Sequence, residues 1–254
     1  MKVNKLFITV VILLLSTGVY SQEKKKKDTV QTTPEVKTTN DDFRRFRIVV
    51  FGNTGLSWMS PKNKEYTKKG PRFVAGWGLM LDWNFTETYT FSSGFCIGGY
   101  GGNLQFGHTR KLNDTIPVNG VMDRKYKIKY LTIPLNLKLK TNQIGYFTYF
   151  FQIGLNNHFR LSAYADDEFT SSTADKSSYS EDDVDIISNT TLYGLSFIVG
   201  AGAEYQISKS LSAFGSLTYD NGMLNALTGT NTLDPSVKEN AIVNRFALTV
   251  GFLF

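Results

Sequence analysis

His108 and His158 are the only two histidines in the chain, and both fall near the same end of segments that read as strands. Together with Asp114, Asp166, Asp167 and nearby serines they are the side chains from which a nucleophile, a general base and an orienting acid would be assembled. Their spacing selects no nucleophile and base, so no catalytic residue is assigned and the chain is not read as an enzyme. Cys96 is the single cysteine, which excludes an intramolecular disulfide. No calcium-loop spacing is present, and neither a metal nor a cofactor is expected.

Charge is the more informative chemistry. Arg47, Asp82, Glu204, Arg160 and Arg245 each fall on the polar side of an alternating segment. Arg47, Asp82 and Glu204 lie near one end of their segments, where they could meet at one height, and Arg160 and Arg245 lie toward the other. Charges placed inside a fold must pair, so these five are expected to form a buried network. Between the segments the sign is sorted. Lys62, Lys64, Lys68, Lys69 and Arg72 stand against Glu65, and Arg110, Lys111, Arg124, Lys125, Lys127 and Lys129 stand against Asp114 and Asp123. The next connection is the reverse: Asp166, Asp167, Glu168, Asp175, Glu181, Asp182, Asp183 and Asp185 face only Lys176. A mouth built from these connections would be basic on one side and acidic across from it. The basic half suits phosphate groups and the acidic half a cation or a basic partner.

The elements that carry these charges alternate with period two, the spacing at which a strand shows opposite faces. Phe73, Ala75, Trp77, Leu79, Leu81, Trp83 and Phe85 alternate with small or polar residues, as do Tyr193, Leu195, Phe197, Val199, Ala201, Ala203 and Tyr205. Eight such strands are predicted, at 44–57, 72–85, 89–107, 125–140, 146–165, 187–207, 211–220 and 241–254. Three joints are tight turns and four are long and polar, near 58–71, 108–124, 166–186 and 221–240. The polar face is too small and glycine-rich to be a solvated exterior, so the apolar face is expected to meet lipid. Even strand number with alternating short and long joints predicts an all-β fold: an eight-stranded antiparallel transmembrane β-barrel with short periplasmic turns and long extracellular loops. Its lumen is just wide enough for side chains to fill, which argues against a diffusion pore.

The amino-terminal region predicts export. Lys2 and Lys5 precede the apolar run Leu6–Leu15, and Val19 and Ser21 are small enough for cleavage, giving a signal peptide at 1–21. That run is too short for a spanning helix, which needs about 20 residues. Residues 22–43 are polar, carry the run KKKK and contain no aromatic before Phe43. They read as a disordered periplasmic tail, leaving 44–254 as the barrel. At the other end Phe246, Leu248, Val250, Phe252 and Phe254 form an apolar face ending on an aromatic, the form of signal read by barrel insertion machinery.

The stretch YLTIPLNLKLKTNQIGYFTYFFQIGL, Tyr130 to Leu155, together with this closing strand, resembles the PorT-like outer-membrane β-barrel family of Bacteroidetes. Leu131, Ile133, Leu135, Leu137 and Leu139 would then face lipid, and inward Pro134 would delete a ladder hydrogen bond and leave a bulge or kink. The resemblance implies an outer-membrane location and, through the member that names the family, a part in type IX protein secretion. The expected partners are outer-membrane lipid and lipopolysaccharide, the insertion machinery and proteins of a secretion system, with no nucleic acid. The functional classes left open are a non-enzymatic barrel of envelope assembly or secretion and a small surface-binding barrel for lipopolysaccharide, adhesion or stress resistance. A lipid-modifying enzyme stands third.

Overall fold

The computed structural model describes residues 44–112, 116–173 and 177–254. The expected signal peptide and tail, and Asp114, Asp175 and Lys176, lie outside the described residues. One antiparallel sheet contains ten strands: β1 (Phe46–Pro61), β2 (Tyr66–Gly70), β3 (Arg72–Asn84), β4 (Tyr89–Leu112), β5 (Ile116–Lys140), β6 (Phe147–Ser171), β7 (Ser178–Asp185), β8 (Tyr193–Gln206), β9 (Ser212–Gly222) and β10 (Ala241–Leu253). Pairing runs β1–β3–β4–β5–β6–β8–β9–β10, and β10 pairs in turn with β1, with Gly52 opposite Val250. The short β2 and β7 attach to the upper parts of β4 and β6.

These two strands are the main departure from the alternation pattern, which predicts eight. Most of the expected loops at 58–71, 108–124 and 166–186 are strand. β1 continues to Pro61, β4 and β5 stay paired from Tyr89 and Leu139 to Leu112 and Ile116, and β6 runs to Ser171 between β5 and β7. Polar composition hid them, because a strand that leaves an apolar medium keeps its hydrogen-bond ladder while its exposed face becomes charged. The connection 223–240 holds no strand, although Thr230 bridges Lys238. The expected strand at 187–207 starts at Tyr193, after a 3-10 turn at Ile187–Asn189.

The short turns at 85–88, 141–146 and 207–211 lie at one end of the sheet, here the turn end. The Thr86 hydroxyl accepts from Tyr89 N at 3.0 Å in the first, and Gly145, at φ 64, supplies the left-handed residue in the second. Toward this end the buried face carries most of its residues as polar side chains and the other face is apolar. On β10 and at the residue after it, Phe246, Leu248, Val250, Phe252 and Phe254 are exposed while Ala247, Thr249 and Leu253 are buried. On β5, Ile133, Leu135, Leu137 and Leu139 are exposed while Thr132, Asn136, Lys138 and Lys140 are buried.

At the opposite, extension end the faces exchange character. Met59, Tyr66, Leu104, Phe106, Met122, Tyr126, Ile128, Phe169 and Leu227 form one buried apolar cluster, joined by Ala163, Ala165, Ile186, Ala226 and Ala241. Leu227 and Ala226 come from the connection 223–240, which closes over the strands. A smaller cluster of Val49, Phe51, Cys96, Phe150, Phe214 and Leu253 lies nearer the turn end.

Pro134 does not make the expected bulge. Its pairing to β4 lapses between Ser93–Leu135 and Cys96–Thr132, but the register is the same on both sides. The missing N–H removes a bond without displacing the neighbours. The shift in this hairpin falls farther out, where the β6 partners jump from Ser162 opposite Lys129 to Arg160 opposite Tyr130, leaving Leu161 as the extra residue.

Candidate functional site

Three layers of polar side chains stand inside the sheet. The first, nearest the short turns, is built by β1, β3, β5 and β8. Arg47 on β1 is the register partner of Asp82 on β3 but pairs elsewhere: its Nη1 donates to Glu204 at 2.9 Å and its Nη2 to Ser212 Oγ at 2.8 Å. Asp82 is fully buried and accepts from Lys138 Nζ at 2.8 and 3.1 Å and from Ser92 Oγ at 2.5 Å. Lys140 Nζ lies 3.0 Å from Glu204 Oε1, an ionic contact without hydrogen-bond alignment. Thus Arg47 and Glu204 meet directly, and Asp82 joins them through two lysines outside the expected network. The leucines of β5 carried that signal: if Leu137 and Leu139 face out, Lys138 and Lys140 must face in.

The second layer centres on Arg245, whose Nε lies 3.3 Å from Asp220 Oδ2 and whose guanidinium lies 4.5 Å from the Tyr100 ring centre. Asn156 Nδ2 donates to Asp220 at 2.6 Å, and Tyr100 OH donates to it at 3.4 Å. Asp220 was not among the expected charges because it falls at a strand end, although outward Leu217 and Tyr219 imply it by alternation. His158 lies beside this layer with Nδ1 2.8 Å from Thr132 Oγ1 and Nε2 2.9 Å from Ser196 Oγ. A cavity of about 50 Å³, lined by residues including Asn53, Asn136, Lys138, Gln152 and Arg245, separates the first two layers. It has room for a few water molecules.

The third layer lies within the apolar cluster. Arg124 forms a two-pronged pair with Asp167, at 2.6 Å for both contacts. Asn231 Nδ2 donates to Tyr66 OH, which in turn donates to Glu239 Oε1, both at 3.3 Å. Burial pushes the Glu239 carboxyl above its usual range; Arg124 and the Tyr66 hydroxyl oppose the shift and Asp167 adds to it. His108 bonds Thr232 Oγ1 at 2.7 Å, and burial, reinforced by Arg124, lowers its pKa.

Arg160 joins none of these layers. The Leu161 bulge turns it toward the 3-10 turn, where it donates to the Ile187 and Thr190 carbonyls and, at 2.7 Å, to Thr190 Oγ1. The two histidines bond different hydroxyls, and neither bonds a carboxylate. Among the described residues no His, Cys, Asp and Glu side chains cluster as a metal set.

The acidic segment also differs from expectation, because it is the neighbour of basic β5 in the sheet rather than its opposite across the mouth. Lys127 Nζ binds Asp166 at 2.5 Å and Asp183 at 3.0 Å, and Arg110 lies 3.6 Å from Glu181. Glu168, Asp182 and Asp185 are exposed. Lys62, Lys64, Lys68, Lys69, Lys111 and Lys125 are exposed too, with no carboxylate within 4.0 Å among the described residues. Lys68 instead lies 5.0 Å over the Trp58 ring.

No curated protein matches the sequence. Solved structures similar to the chain include outer membrane protein OprG from Pseudomonas aeruginosa, at 12% identity and TM-score 0.40, covering 82% of this chain and 94% of that one. The attachment invasion locus protein of Yersinia pestis is 12% identical, with TM-score 0.34 and coverage of 83% and 100%. The outer membrane protease OmpT from Escherichia coli is 10% identical, with TM-score 0.32 and coverage of 89% and 99%. At this distance none of the three lends an activity to the chain. A family model described as the outer membrane protein beta-barrel domain matches residues 20–227. An apolar exposed face around a polar buried one is the arrangement such a domain requires. The chain belongs to the outer membrane protein beta-barrel domain family.

Proposed function

We propose that the eight mutually paired strands form a closed barrel across the outer membrane, with the short turns in the periplasm and the extension end outside the cell. On this reading the protein is a non-enzymatic contact protein of envelope assembly or protein secretion. A strand crosses the membrane with about 9–11 residues. β4, β5 and β6 have 24, 25 and 25, so more than half of each is free to build a structure beyond the bilayer. That structure, filled with side chains and closed by the connection 223–240, is the observation that carries the proposal. A fold that invests its longest strands in a solid projection presents a surface rather than a passage. The PorT-like resemblance of Tyr130–Leu155 supports a secretion role for that surface.

Conduction is disfavoured because Phe51, Phe150, Phe214 and the two lower charge layers fill the interior. Planar-bilayer recordings of the purified protein should show no stable current of porin size, and a large reproducible conductance would overturn the filled-lumen reading. Against a lipid-modifying enzyme stand the burial of the Ser196–His158 pair and its lack of a carboxylate partner. The role itself is tested by affinity capture with the intact barrel from cells that express it. Secretion components are expected in the captured material; their absence, with a folded and inserted barrel, would remove the secretion assignment. The alternative of a surface-binding barrel is favoured by one observation, the row of lysines on β5.

A further inference from the structure

The exposed face of β5 changes chemistry within one residue pair. Leu139, Leu137, Leu135, Ile133 and Leu131 follow one another outward on that face, and the next residues on it are Lys129, Lys127 and Lys125. Burial alternates without interruption from Lys125 to Lys140, so the lysines share the leucines' face. The apolar stretch runs from Leu131 to Leu139, close to the roughly 9–11 residues with which a tilted strand crosses a bilayer. Lys129 therefore emerges at the level of the lipid headgroups.

A second element delivers another cation to this row. Beyond Gly76 and Gly98 the upper end of β3 leaves its ladder with β4 and crosses the outer side of β4. A Cβ at Gly99 would lie 3.5 Å from the Val74 side chain, and Arg72 continues across to donate to Tyr126 O on β5 at 3.1 Å. Gly101 permits the close approach of β4 to this acceptor: its φ is 143°, and a Cβ there would overlap Tyr126 O. Arg72 thereby comes within electrostatic range of Asp166, the acid that holds Lys127.

The charges on this face are sorted by height. Asp123, bonded by Gln105, and its register partner Glu168 stand farthest from the leucines, and Asp166 is opposite Lys125. Lys129 adjoins Leu131, with Ser162 opposite it on β6 and Gly99 opposite it on β4. Lys125 and Lys129 are exposed, and neither has a carboxylate within 4.0 Å among the described residues. Lys127 is fixed between them by its two acids.

We propose that Arg72, Lys125, Lys127 and Lys129 form a binding site for the phosphate groups of an outer-leaflet glycolipid whose acyl chains lie along the Leu131–Leu139 face. An ammonium ion at this depth finds phosphate as its natural counter-ion, and continuity with the lipid-facing leucines selects a membrane-embedded phosphate over a free one. The site rests on the proposed orientation, with the extension end outside the cell.

The test uses the full barrel in detergent, with diphosphorylated lipid A, dephosphorylated lipid A and inorganic phosphate as probes, read by native mass spectrometry. The wild type should retain diphosphorylated lipid A in preference to the dephosphorylated form, with inorganic phosphate failing to compete at the same concentration. Lys125→Gln with Lys129→Gln should weaken retention by about tenfold or more, in line with the strength of charge-assisted bonds. Lys62→Gln with Lys64→Gln should leave it unchanged. Equal retention by the first variant, an equal loss in the second, or equal binding of dephosphorylated lipid A would each overturn the site. Gel mobility before and after boiling establishes that each variant is folded. Orientation is read separately, by protease cleavage within 223–240 on intact cells. Protection there would fault the orientation whatever the detergent result.

Discussion

The two ends of the sheet are inside out relative to each other, although the same strands build both. Near the short turns β5 buries Asn136, Lys138 and Lys140 and exposes Leu135, Leu137 and Leu139. Near the extension end the same strand buries Met122, Tyr126 and Ile128, and its exposed face carries Lys125, Lys127 and Lys129. The ladder to β4 runs through the change in one register, and the ladder to β6 passes it with a single bulged residue, Leu161. What changes is the medium. Hydrocarbon outside demands apolar side chains there and leaves polar ones to pair within, whereas water outside restores the apolar interior of an ordinary soluble fold. The crossover is abrupt: Leu131 and Lys129 are successive residues of one face.

The largest effect should come from unbalancing the turn-end interior. Lys138→Met leaves Asp82 buried without its closest cation and should cost about 3–5 kcal/mol in unfolding measured in lipid vesicles. Adding Asp82→Asn should recover most of that loss; if it does not, the pair is not what the substitution removed. At the other end Phe169→Ala should cost a similar ~3–5 kcal/mol through lost packing in the apolar cluster. There the change should appear as faster proteolysis of the extension, with insertion intact. Failure to insert would mean that the two ends do not behave as separate regions.

Arginine scanning of the exposed faces compares the media directly. Val250→Arg, at a position 55% exposed on the apolar side of β10, should cost roughly 2–4 kcal/mol. Val121→Arg, 38% exposed near the far end of β5, should change stability by no more than about 0.5 kcal/mol. Similar costs at the two sites would abolish the distinction between lipid and water.

The smallest effect concerns pH at the cap. The folded-state pKa of Glu239 is raised, chiefly by burial, so the folded form holds its proton more tightly than the unfolded chain. Its contribution to stability is complete below the usual carboxylate range and is lost as pH rises through the raised value. Proteolysis within 223–240 should therefore be slower in mild acid than at neutral pH, and Glu239→Gln should flatten that dependence. An unchanged profile in the variant would assign the effect to another group.

Much of this architecture is legible in the sequence. Period-two alternation located the ring strands, and the apolar face of Phe246–Phe254 is exposed as the spacing requires. Asp82 and Glu204 were identifiable as interior charges by the same alternation. Their partners are less evident: Lys138 and Lys140 sit inside a leucine-rich strand whose dominant pattern is its outward residues, and Asp220 sits at a strand end. The strands of the extension were hidden because their polar, charged composition is also that of a loop.

The sequence by itself determined the period of each strand, the medium its faces require and the short joints that make neighbours antiparallel, because these depend on local spacing and composition. Only the tertiary structure decided which charges meet. Pairing is set by how strands shift along and lean across one another, over separations of up to 157 residues for Arg47 and Glu204. A single extra residue, Leu161, redirected Arg160, and the crossing of β3 over Gly99 brought Arg72 to β5. Alternation fixes the face on which a side chain lies; its height and its neighbour follow from register, which no single strand contains.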